Sequence, residues 1–170
     1  LEDGSYLPAN ENFDRGVDLW NRKVWYYRYA DGYRDRSRED LAAEKYEELL
    51  ASFPDDRKGL LDYADLETYE RARYEHAEEL LGRVLENERY DYDALLLLGD
   101  TYTEWARESP EKHENARYSY ATLLERYGNR DEVMLRMLRY FIRTDNTDEV
   151  RRLTNYFQDL EDVAIDPHIY

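Results

Sequence analysis

SPEKHENARYSYATLLERYG, Ser109 to Gly128, is the stretch that decides the fold. Ala116, Tyr120, Leu123, Leu124 and Tyr127 recur at i, i+4, i+7, i+8 and i+11, which places them on one stripe of a 3.6-residue helix. Ser109 is placed to cap its N-terminus. Pro110 suits the first helical position, where a missing N–H loses no bond. Gly128 stands where the chain leaves the helix with a positive φ.

Outward from this segment the same texture continues. Glycine (7) and proline (4) are scarce, and Glu, Arg, Leu, Ala and Tyr at helical spacing dominate. Eight helices are predicted, at about 14–30, 38–52, 58–71, 74–87, 92–107, 110–127, 131–144 and 147–159. Residues 1–13, with Gly4, Pro8, Asn10 and Asn12, read as an extended lead-in. Residues 161–170, with Pro167, read as a link into a further repeat. With Leu1 at its start, the sequence reads as a piece of a longer protein.

The second helix of each pair carries a small or β-branched residue, a bulkier one four on and another three further. The sets are Ala42/Tyr46/Leu49, Ala77/Leu81/Val84, Ala116/Tyr120/Leu123 and Val150/Thr154/Phe157, and their first members lie 35, 39 and 34 residues apart. Two helices per unit of about 34 residues is the spacing of tetratricopeptide repeats.

On these residues the chain resembles the tetratricopeptide repeat family. Leu98-Gly99, Tyr102, Ala116 and Tyr120 fit the family's small, aromatic, small, aromatic sequence best, with Leu123 in place of a usual alanine. Ala30, Ala42, Tyr46 and Pro54 fit the repeat before, and Tyr74 to Ala77 the one between. Leu138, Phe141 and Val150 form the weakest match. The resemblance spans about 14–160 and implies an all-α, right-handed solenoid of antiparallel helix pairs with about four repeats. It also implies a concave groove lined by the first helices, here Asp62, Tyr69, Glu70, Asp100, Thr103 and Glu104, with Arg139 and Arg143 at its end.

A narrower resemblance runs from Leu97-Leu98-Gly99-Asp100 through Glu125-Arg126-Tyr127-Gly128 to Met137–Asn146. That texture is similar to the repeat domains of spirochaetal periplasmic flagellar collar proteins, structural subunits around the flagellar motor. This resemblance implies a periplasmic location. Composition alone leaves periplasm and cytoplasm both open, since a chain with no cysteine suits either.

With 24 Lys+Arg against 40 Asp+Glu, the net charge of −16 repels phosphate backbones and anionic lipid headgroups. No cysteine is present, so thiolate chemistry and cysteine metal sites are excluded. No apolar run is long enough to span a membrane. His76, His113 and His168 form no i, i+3 or i+4 pair and read as exposed polar residues. Glu47-Glu48 and Glu78-Glu79 read as solvated helix faces. No nucleophile motif or phosphate loop occurs, so no catalytic residue, metal or cofactor is expected.

Two features rise above this background. The first is the aromatic block Trp20, Trp25, Tyr26, Tyr27, Tyr29, Tyr33, whose members point all round a helix and cannot share one core. Trp20 and Tyr27 share one face and Trp25 and Tyr29 another, so Trp20 and Trp25 are candidate partner-binding residues. The second lies between Arg126 and Arg152, where seven arginines meet five acids. Arg136, Arg139 and Arg143 fall on one side of a helix there, either paired within the chain or forming a docking patch. The expected function is therefore a non-catalytic protein–protein interaction scaffold in a larger assembly. The alternative is an adaptor whose acidic, Tyr-lined groove binds a basic or helical segment. The expected partners are other proteins, or a second copy docking through its ends.

Overall fold

In a computed structural model, the first helix, α1, runs from Tyr6 to Arg34 and starts inside the stretch expected to be extended. Pro8 is its third residue. The first four N–H groups of a helix have no intrahelical partner, so a proline there breaks nothing. The structure describes residues 6–128, 130–144 and 146–155, and no strand occurs among them. The chain is all-α, as its periodicity leads one to expect.

Three more helices complete the unit Leu1–Asn87: α2 (Glu39–Ser52), α3 (Arg57–Tyr69) and α4 (Tyr74–Asn87). The unit Glu88–Tyr170 holds α5 (Tyr92–Trp105), α6 (His113–Tyr127), α7 (Asp131–Arg143) and α8, helical over 147–155. The helix expected to open at Ser109-Pro110 begins three residues later. Pro110–Lys112 is a separate tight 3-10 turn, and the Ser109 side chain caps no N–H. Lys112 places its Nζ 3.6 Å from the Trp105 ring centroid, a cation–π contact that holds this turn against α5.

Within each unit consecutive helices pack as pairs, α1 on α2, α3 on α4 and α5 on α6, joined further by α2 on α3 and α6 on α7. The residues predicted to carry these contacts do so. Ala42, Tyr46, Leu49, Ala77, Leu81, Ala116, Tyr120 and Leu123 are wholly buried, and Val84 almost so. Burial of each large side chain contributes about 1.5–3 kcal/mol. The fourth set does not follow. Val150 is half-buried and Thr154 exposed, while Leu153 points inward; Phe157 and the tail from Asp162 lie outside the described residues.

First helices of successive pairs run parallel and are bridged by side chains. Lys23 reaches Asp56 and Arg34 reaches Asp65 and Glu70, joining α1 to α3 across 33, 31 and 36 positions. Arg136 reaches Asp100 and Arg143 reaches Glu104, joining α7 to α5 across 36 and 39. Local features recur at a similar interval. Asp56 caps α3 by accepting from the Gly59 N–H at 2.9 Å, and Asp91, 35 residues later, caps α5 from the Ala94 N–H at 2.9 Å. Ser37 and Ala72, also 35 apart, take positive φ (51° and 50°) in the links after α1 and α3.

Candidate interaction surface

Helical geometry rotates each residue about 100° from the last, and the structure sorts the α1 aromatics accordingly. Ala30, wholly buried, faces the rest of the first unit. Tyr27 turns toward α3, where its hydroxyl donates to the Asp56 carboxylate and Lys23 binds the same group. Burial, reinforced by Asp56, pushes the Tyr27 phenol above its ordinary range. Burial opposes the charge on Asp56. The bonds from Lys23, Tyr27 and the Gly59 N–H outweigh it and hold the carboxyl below its usual value.

Trp25 and Tyr29 turn outward. They are 57% and 53% exposed, and their rings stack at 5.9 Å between centroids and 29° between planes. Tyr26 and Tyr33 are half-buried beside them. Together with Arg22, Lys45 and Glu48 these four aromatics line an open groove of about 400 Å³ between α1 and α2. Lys45 is held by Glu48 at 2.5 Å. Arg22 and Arg28 are exposed and make no ion pair among the described residues. Trp20, at 68%, is also exposed and does not share the inward face of Tyr27. The signal for this groove was in the sequence: Arg22, Tyr26, Tyr29 and Tyr33 follow i, i+4, i+7 and i+11. The contribution of Lys45 and Glu48 depended on how α2 packs.

The residues of α3 and α5 expected to line an acidic groove are mostly engaged by other side chains of their own unit. Asp100 and Thr103 are buried. Asp100 accepts from the Tyr120 hydroxyl at 2.8 Å and pairs with Arg136, while Thr103 donates to the Gly99 carbonyl at 2.8 Å. Glu104 pairs with Arg143 and Glu70 with Arg34 at 2.5 Å. Asp62 is half-buried and paired with Lys58. Burial raises its carboxyl against the opposing pull of that lysine. Tyr69 is exposed. Of the three arginines, Arg136 and Arg143 are therefore structural links between α7 and α5. Arg139 is exposed with no ion pair among the described residues and lies between exposed Leu135 and Ile142.

One charged cluster was not visible in the sequence. Glu67 is wholly buried, paired with Arg71, which also binds Asp40 at 3.0 Å. His76, expected to face solvent, is half-buried with 37% of its side chain exposed. It stacks edge-on against Tyr63 at 5.0 Å, with Nδ1 3.6 Å from Glu67 Oε2. His113 is similarly drawn in, its ring 5.7 Å from Tyr140. No group of three His, Asp or Glu able to hold a metal occurs among the described residues, and no described helix is long and apolar enough to cross a membrane.

Compared with known proteins, the sequence matches no family model and no curated protein.

Proposed function

We propose that this protein is a non-catalytic interaction scaffold, a helical-repeat structural subunit of a larger protein assembly. The observation that carries the reading is the Trp25–Tyr29 stack, two large aromatic side chains more than half exposed at the edge of an aromatic groove. Leaving such area in water is unfavourable, and clustered exposed aromatics are the composition of protein-binding hot spots. Leu135 and Ile142 beside Arg139 give α7 a second exposed apolar face, which suits a subunit with more than one neighbour.

The recurrence of caps and links at 35 residues, with parallel first helices in each unit, supports a tetratricopeptide-like solenoid as the architecture. The resemblance to flagellar collar proteins makes a periplasmic motor collar the assembly of choice. The test is affinity purification from the source organism with the chain and with its Trp25→Ala/Tyr29→Ala variant. A defined set of partners that the variant fails to retain is the expected result. Identical partner sets would remove the α1 face from the function.

A further inference from the structure

The whole chain carries −16, which points to basic partners, but the exposed aromatic helix carries the opposite sign. α1, Tyr6–Arg34, holds five cations (Arg15, Arg22, Lys23, Arg28, Arg34) and four acids (Glu11, Asp14, Asp18, Asp31), a net +1 against −17 in the remainder. Lys23 and Arg34 are consumed by α3. Arg22 and Arg28 remain exposed, one lining the groove and one following Trp25 by three positions.

Resting on the scaffold reading above, we propose that the α1–α2 aromatic groove docks an acidic amphipathic helix of a partner protein. Trp25 and Tyr29 meet its apolar side chains, and Arg22 and Arg28 meet its carboxylates. Three arguments lead there. The first concerns backbone. Two helices offer the groove no free N–H or C=O, so an extended segment would leave its own backbone unpaired, whereas a helix satisfies its own. The second concerns length. From Arg22 to Tyr33 the stripe covers about 16 Å at 1.5 Å per residue, three turns of a bound helix.

The third concerns range. Screening at physiological salt acts over about 8 Å, so the two contacting guanidiniums outweigh acids elsewhere on the surface. Among the lining residues Arg22 and Lys45 stand against one acid, Glu48, which Lys45 pairs; Glu44 and Glu47 are further exposed acids on α2. The apolar contacts supply affinity, and the arginines supply orientation and discrimination against basic helices.

The experiment titrates the intact chain with three tryptophan-free synthetic helical peptides of equal length, followed by tryptophan fluorescence. One is Glu-rich with apolar residues at i, i+3, i+4 and i+7. One has the same apolar positions with Lys for Glu. One is Glu-rich with Ser at the apolar positions. Only the first should bind, shifting emission to the blue, and added salt should weaken it. Trp25→Ala/Tyr29→Ala should weaken binding about thirtyfold or more. Arg22→Glu/Arg28→Glu should weaken it roughly threefold to tenfold and reverse the salt effect. All four side chains are exposed, so circular dichroism and melting temperature should not change.

Binding of the Lys-rich peptide as tightly as the Glu-rich one would overturn the acidic partner while leaving the face an interaction surface. If no peptide binds and sedimentation shows self-association abolished by Trp25→Ala/Tyr29→Ala, a second copy covers the groove and the proposal falls. If no peptide binds and the chain stays monomeric, both the proposal and the α1 face as a docking surface fall.

Discussion

A Cβ on Gly99 would lie 2.5 Å from Cε1 of Tyr120 and 2.8 Å from its Cζ, closer than side-chain carbons approach. The two residues face each other where α5 meets α6, and the ring occupies the space that every other amino acid would fill. Tyr120 is not free to swing away, since it is wholly buried and its hydroxyl donates to Asp100 Oδ1 at 2.8 Å, with Thr103 Oγ1 at 3.3 Å. Asp100 is fixed in turn by Arg136. One glycine thus permits a close helix approach that ends in a polar network reaching α7.

Gly99→Ala should destabilise the second unit by about 1–3 kcal/mol, the usual cost of overpacking a filled contact. Helix propensity alone would favour alanine by roughly 1 kcal/mol, so the sign of the change decides between the two effects. Urea denaturation measures it. A raised midpoint would mean that the Tyr120 ring yields.

Arg136 and Arg139 should behave differently although they lie on the same helix. Arg136→Ala removes a charge-assisted bond to buried Asp100 and should cost about 1.5–3 kcal/mol. Arg139→Ala should stay within about 0.5 kcal/mol, as exposed substitutions do. Equal melting temperatures for the two variants would show that the Asp100 pair contributes nothing.

Asp56→Asn keeps a capping oxygen for α3 but loses the ion pair with Lys23. The folded carboxyl titrates below its unfolded value. Its stabilisation is therefore complete above the unfolded value of about 3.9 and disappears as pH falls through the folded one. The variant should be less stable than the parent at pH 7, and the two should converge in acid. A difference that persists or grows below about pH 3 would contradict this assignment.

The Glu67–Arg71 pair predicts an asymmetry. Arg71→Met leaves a wholly buried carboxylate without its arginine partner and should cost about 3–5 kcal/mol. Glu67→Gln/Arg71→Met removes both charges and should cost less than the single change. Thermal melting of the two variants checks the order, and a double variant that melts lower would reverse the argument.

Much of the helical content was legible because period 3.6 is a local property. The sets Ala42/Tyr46/Leu49, Ala77/Leu81/Val84 and Ala116/Tyr120/Leu123 had to face inward once those segments were helices. The stop at Gly128, which the structure gives a φ of 73°, was equally local. Pro8 misled because its effect depends on position within a helix. It breaks an interior turn but not a first one. Val150 and Thr154 misled because a helical stretch with few apolar residues fits more than one rotation, and packing selected Leu153.

What the sequence determined by itself is the class of fold, the packing residues of the first three pairs and the presence of more aromatic residues on α1 than one core can hold. Tertiary structure alone decided which charges are spoken for. Asp100, Glu104, Arg136 and Arg143 look like surface groups in a list of residues, yet each finds its partner 36 or 39 positions away. Arg22 and Arg28 resemble them in sequence and are left exposed. The reason is physical: helix periodicity fixes the direction of a side chain from its near neighbours, whereas an ion pair needs two directions to converge, and only the packing of one helix on another supplies the second.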